Sequence, residues 1–416
     1  VIYVHKYTTL ILASGIWFIG KFLRYAFPPL FDTLQINYDV STTVIGFMYT
    51  CLLIVYALLQ FPSGMLSDRF GSLRIIVGGA GLAAGGAFLL SIDLPVYFLI
   101  ISVVAIGVGT GVHKTVAVGV LSETYPKRTG RVLGVFDTFG TYGGVGASFV
   151  VTLFLVVPRP IEYIVALFPG AAWRGVFLSS GFVGLGFAVL FAWYVPKQQS
   201  QNDNVDKKQD LNPSIQDYLI QFKNTKFAIF AFVTILFSFS YNGVLAFLPL
   251  FLSEEAGFST TAANLLYSAV FAVSFVQIFT GDLSDRMGRL SIIFIALGVG
   301  AVALSAIVVL VDIGIMIIAT LIILFAFGSH GFRPVRGLYL IELLPDDIAA
   351  GGFGIVRTLL MGAGAVAPTI IGFITDTADF RVAFAFLAAS MVVAAALSMG
   401  LLVANFSTKE QIYDLR

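Results

Sequence analysis

Apolar runs of about twenty residues recur along the whole chain, each parted from the next by a short polar segment. A run of that length, wound as an α-helix, crosses the hydrocarbon core of a bilayer. A helix also satisfies its backbone hydrogen bonds internally, which lipid demands. The runs fall at about 7–30, 41–63, 75–92, 96–120, 132–157, 173–195, 226–250, 261–280, 291–311, 315–340, 351–374 and 382–405. Twelve helices of about 22 residues take up roughly 264 residues. The rest of the 416-residue chain holds loops and ends, with no room for a large soluble domain. Charged residues make up only 11% of the chain and hydrophobic ones 58%. Soluble domains have about 25% charged residues, so this chain cannot cover a water-facing surface. A soluble enzyme, a nucleic-acid binder and a disordered chain are excluded on that ground. The first run contains Trp17, Lys21 and Arg24, unlike the clean apolar core of a cleavable signal peptide.

The longest polar stretch, at 196–225, splits the runs into two sets of six. It predicts an N-terminal six-helix bundle over 1–195, a linker over 196–225 and a C-terminal six-helix bundle over 226–416. Loops on the linker's side carry fifteen Lys and Arg residues, and the opposite side carries three, Arg159, Arg174 and Arg381. Cytoplasmic loops hold the excess of Lys and Arg. The linker and both termini are therefore expected on the cytoplasmic face of a cytoplasmic membrane.

The two halves repeat one another. GMLSDRFG at 64–71 returns as GDLSDRMG at 281–288, and AFPPLF at 26–31 returns as AFLPLF at 246–251. Ser41-Thr42-Thr43 matches Ser259-Thr260-Thr261, and His113 matches His330. A six-span unit is thus used twice in the same orientation. The pattern G-x-L-S-D-R-x-G-x-x-R at Gly64, Leu66, Ser67, Asp68, Arg69, Gly71 and Arg74 resembles the loop 2–3 signature of the major facilitator superfamily. A second copy stands at Gly281, Leu283, Ser284, Asp285, Arg286, Gly288 and Arg289. The resemblance covers the whole chain. It implies two pseudo-symmetric six-helix bundles around a central cavity that opens to each side in turn. It also implies that Asp68, Arg69, Arg74, Glu123, Arg131, Asp285, Arg286 and Arg357 act in gating at the cytoplasmic face. The fifth span lacks the Gly-Pro pair of drug–proton antiporters, and Val103 stands where they carry an Arg. A drug or sugar exporter is accordingly the second reading, and a receptor or channel the third.

Six cations remain inside the spans: Lys21, Arg24, Lys114, Arg333, Arg336 and Arg357. Asp137 is the one clear anion among them. A charge at bilayer depth costs at least about 2.5–3.5 kcal/mol, so it faces a cavity or a partner. The surplus points to an anionic substrate. Lys21, Arg24, Lys114 and Arg333, with Tyr25, Tyr142, Tyr241 and Asn242 as hydrogen-bonding neighbours, are the expected substrate-binding residues. His113, His330 and Asp137 are the expected proton carriers, because imidazole and carboxylate groups can titrate in such a site. The reading is a proton-coupled carrier of a small organic anion, monomeric in the lipid bilayer. No nucleotide-binding loop, metal cluster or catalytic motif is present in the sequence, so neither an enzyme nor a cofactor or metal is expected. The single cysteine, Cys51, excludes an intramolecular disulfide.

Overall fold

The computed structural model describes residues 7–156, 162–166, 171–195, 220–345, 358 and 360–414, with side chains described up to 405. Those residues are helical or in short turns, with no strand among them. Twelve helices are long and apolar enough to cross a membrane. The first six are Thr8–Tyr38, Thr42–Gln60, Ser72–Leu90, Val96–Thr124, Pro126–Val156 and Arg174–Tyr194. The other six are Thr225–Glu254, Thr260–Met287, Arg289–Val309, Ile315–Glu342, Leu360–Thr377 and Phe380–Asn405. They are numbered below as spans one to twelve. Most of the expected linker and the start of span eleven, including Arg357, lie outside the described residues.

The repeat in sequence is a repeat in packing. Span three packs on four and six, span two on four, and span one on six; nine packs on ten and twelve, eight on ten, and seven on twelve. Local geometry repeats with it. The Ser41 side chain caps span two by accepting from the Val44 N–H, and Ser259 caps span eight by accepting from Ala262. A capping serine oxygen satisfies one of the donors that a helix start leaves open. Gly71 and Gly288, which close the two copies of the signature, have φ of 87° and 88°. That left-handed region admits glycine at no steric cost, which is why both copies end on it.

The few cations opposite the linker also form repeated ties. Arg174, opening span six, pairs with Asp93 after span three at 2.6 Å. Arg381, opening span twelve, pairs with Asp312 after span nine at 2.6 Å. Each bridge pins the outer ends of corresponding helices in its own half.

The halves meet along two seams, span two on span eleven and span five on span eight. Aromatic rings fill the region opposite the linker: Tyr25 lies against Phe271 at 4.5 Å between centroids, and Phe31 against Phe247 at 5.4 Å. Both pairs join one half to the other, and they close the interior on that side.

Candidate functional site

An inner chamber of about 80 Å³ lies between the halves. Lys21, Arg24, Tyr25, Tyr49 and Tyr56 line it from the first half, and Tyr241, Asn242, Arg333 and Arg336 from the second. It adjoins a vestibule of about 260 Å³ towards the linker side, and the two share Lys114, Arg333, Arg336 and Met361. Asp137, Thr234 and Gln277 line the vestibule.

Lys21 and Arg24 are buried, at 5% and 4% exposure, although each is charged. Neither they nor Arg333 form an ion pair with a described carboxylate. Aromatic faces take the place of counter-ions. The Arg24 guanidinium lies 4.0 Å from the Tyr56 ring centroid, and Lys21 Nζ lies 5.2 Å from those of both Trp17 and Tyr25. Arg333 sits 5.7 Å from the Tyr241 ring. Such contacts stabilise a cation by about 0.5–2 kcal/mol without neutralising it. The Arg24 Nε–H is buried with no hydrogen-bond partner. A buried donor left open in this way is a standing demand for an acceptor.

Arg333 is also held from behind. The His330 Nε2–H donates to the Val270 carbonyl at 2.9 Å. Its Nδ1 then accepts from the Gln277 amide at 3.2 Å and faces an Arg333 guanidinium nitrogen at 3.4 Å. Both ring nitrogens of His330 are thus engaged, and the neutral ring acts as a support for the arginine. His113 departs from expectation in a different way. It lies inside the first bundle, its Nε2–H donating to the Ala13 carbonyl at 3.1 Å, with Trp17 and Phe136 beside it. It lines neither chamber. Successive residues of a helix point about 100° apart, so the face that turns Lys114 to the vestibule turns His113 into the bundle.

Lys114 Nζ pairs with Asp137 at 2.9 Å, with the aspartate more than half exposed to the vestibule. Tyr142 is exposed and lines neither chamber, because Thr141, Gly143 and Gly144 take the buried face of span five. It stands apart from the other residues expected beside the substrate. Tyr49, Tyr56 and Gln277 were not expected there. Tyr49 and Tyr56 are seven apart, two turns of one helix face, and Gln277 is a lone amide within an apolar run.

The residues expected to act in gating are apart in this conformation. Asp68, Arg69, Arg74, Glu123 and Arg131 are exposed and form no ion pair among the described residues. Arg286 pairs with Asp282 at 2.9 Å, and Arg289 with Asp285 at 4.0 Å and with Glu342, all inside the second half. Asp68 and Glu123 make no ion pair with Arg69, Arg74 or Arg131 on the linker side, which is where the vestibule opens. The opposite side is latched instead. The Asp376 carboxylate, at the end of span eleven, accepts from the N–H groups of Thr42 at 3.1 Å and Thr43 at 2.7 Å. It also accepts from the Thr43 hydroxyl at 2.6 Å. These are the open donors at the start of span two, the positive end of its helix dipole. Below this latch, a Cβ on Gly46 would run into the Pro368 carbonyl, and one on Gly372 into that of Thr42.

Twelve spans built as a doubled six-helix unit, with a polar chamber on the seam, define a membrane carrier. The chain belongs to the Major Facilitator Superfamily, which it matches over residues 12–332 and again over 277–414. It is therefore a multi-pass membrane transporter and not an enzyme. The chain is 24% identical to the 2-nitroimidazole transporter of Escherichia coli over 88% of both chains. It is also 24% identical to the hexuronate transporter of Bacillus subtilis, covering 88% of this chain and 87% of that one. Among solved structures, it superimposes with a TM-score of 0.80 on a bacterial homologue of the human lysosomal transporter Spinster in an inward-facing, unoccupied conformation. That match is 15% identical and covers 95% of this chain and 96% of the other.

Proposed function

We propose that the protein carries a small organic anion across the cytoplasmic membrane, coupled to a proton, by alternating access of the chamber between the halves. The observation that carries the reading is the carboxylate-free set of buried Lys21 and Arg24 and half-buried Arg333, drawn from both halves. A bound anion supplies the missing charge. The hexuronate carrier among the relatives handles an anion, which agrees with this reading. With both termini cytoplasmic, the open vestibule faces the cell interior.

Coupling rests on Lys114 and Asp137. While Asp137 is ionised it holds Lys114. A substrate carboxylate brought beside it meets like charge, which favours protonation of one of the two. Protonated Asp137 releases Lys114 to the substrate, so a proton and an anion move together. Uptake is expected to rise as the outside pH falls from about 7.5 to about 5.5, because a proton enters with each anion. Asp137→Asn is expected to flatten that profile while keeping substrate-for-substrate exchange. His113→Gln is expected to leave the profile unchanged, since the ring lies away from the chambers. A flat profile in the histidine variant alone would reverse the assignment.

Binding itself is tested by the thermal stability of the purified protein with carboxylates, sugars and lipophilic cations. A ligand that binds only the folded state raises the unfolding temperature. Carboxylates are expected to do so. Stabilisation by sugars or cations alone would favour an exporter of the drug or sugar type.

A further inference from the structure

The cations of the chamber come as two pairs with one spacing. Lys21 and Arg24 are three apart on span one, and Arg333 and Arg336 three apart on span ten. Residues three apart share a helix face, and all four line the inner chamber. Each half therefore presents its own pair. Every member rests against a ring: Lys21 against Trp17 and Tyr25, Arg24 against Tyr56, Arg333 against Tyr241, and Arg336 against Phe237 at 5.9 Å. Rings orient a cation and leave its charge in place. With Lys114, five cations line the two chambers, against the single carboxylate of Asp137 among the described residues. The surplus is four positive charges whichever cation Asp137 faces. A singly charged substrate would leave either Lys21 and Arg24 or Arg333 without an anion in a low-dielectric interior, which is the costly arrangement. Leu53, Ala57, Leu245 and Met361 add apolar surface to a wall that also carries Tyr25, Tyr49, Tyr56, Ser238, Tyr241 and Asn242.

We infer that the substrate is a dianion with two separate anionic groups on a short body, one group for each half. This rests on the anion reading above and narrows it. Closing both pairs on one molecule also ties the halves together, which gives the substrate a direct hold on the change between the two openings.

The test uses intact protein in proteoliposomes. Binding is measured at pH 7.5 for a series of dicarboxylates of three to eight carbons, including terephthalate. Each is paired with its own half-amide, which keeps the shape and removes one charge. Inorganic phosphate and sulfate complete the set. At least one dicarboxylate is expected to bind ten times or more tighter than its half-amide and than either inorganic ion. Arg333→Gln is expected to bring that ratio towards one, through loss of dianion affinity with little change for the half-amide. If half-amides bind as well as the dicarboxylates throughout, the substrate is a monoanion, and this inference fails while the anion reading stands. If phosphate or sulfate binds as tightly as the best dicarboxylate, both charges sit on one group, and the two-ended form is wrong. If no anion binds, the anion reading fails and takes this inference with it.

Discussion

Arg24→Ala and Arg333→Ala are each expected to abolish measurable transport while the protein still folds and inserts. Arg24 is 4% exposed and has a buried Nε–H with no partner, so what it would lose is the substrate. Truncating one member of a buried charge pair costs about 2–5 kcal/mol. At 1.4 kcal/mol for each factor of ten, that is roughly 30-fold to more than 1000-fold in affinity. The two sites differ in one respect. Arg333 is supported by His330 and Gln277, so His330→Ala is expected to raise the substrate concentration for half-maximal uptake with a smaller effect on the maximal rate. Uptake at the normal rate in both arginine variants, measured on equal amounts of folded protein, would remove the basis of the anion site.

Asp376→Asn and Gly46→Leu are expected to open the side that this conformation keeps closed. Asparagine presents one acceptor oxygen and no charge where Asp376 uses both oxygens on three donors. The site is exposed, so screening limits the effect to about 1 kcal/mol, roughly a fivefold shift in the balance of the two openings. Gly46→Leu acts harder, because its side chain must displace the Pro368 carbonyl. Overpacking of this kind costs about 1–3 kcal/mol. The distance between spin labels at the outer ends of spans two and eleven should lengthen in both variants, more in the leucine one. The linker-side distance between the halves should shorten in step. Unchanged distributions in both variants would mean that the seam between spans two and eleven is not what holds that side shut.

The fold was legible in the sequence because lipid permits little else. Twelve apolar runs of spanning length predict twelve helices, and the doubled G-x-L-S-D-R signature shows where the repeat begins. Span three was expected at 75–92 and runs over Ser72–Leu90, since Gly71 ends one helix and Ser72 starts the next without a loop. The cations of the chamber were legible for the same reason, as charges too costly to leave in hydrocarbon. Which way a neighbouring residue points was less legible. His113 and Lys114 are adjacent, and depth alone placed both at the cavity. Packing against Trp17 and Phe136 turns one of them inward. Tyr142 fails by the same rotation. The Asp376 latch was not legible, because its partners, two backbone N–H groups and the Thr43 hydroxyl, lie about 330 residues away, and backbone donors leave no mark in a sequence.

The central claim, a carrier whose one anion site alternates between two sides, is tested most directly by counterflow. Proteoliposomes are loaded with an unlabelled dicarboxylate that stabilises the protein and diluted into a trace of the same compound labelled. The account predicts a transient overshoot of label inside, faster at higher internal load, and absent in Arg24→Ala and Arg333→Ala. Label that only drifts to equilibrium, at a rate independent of the internal load, would contradict it.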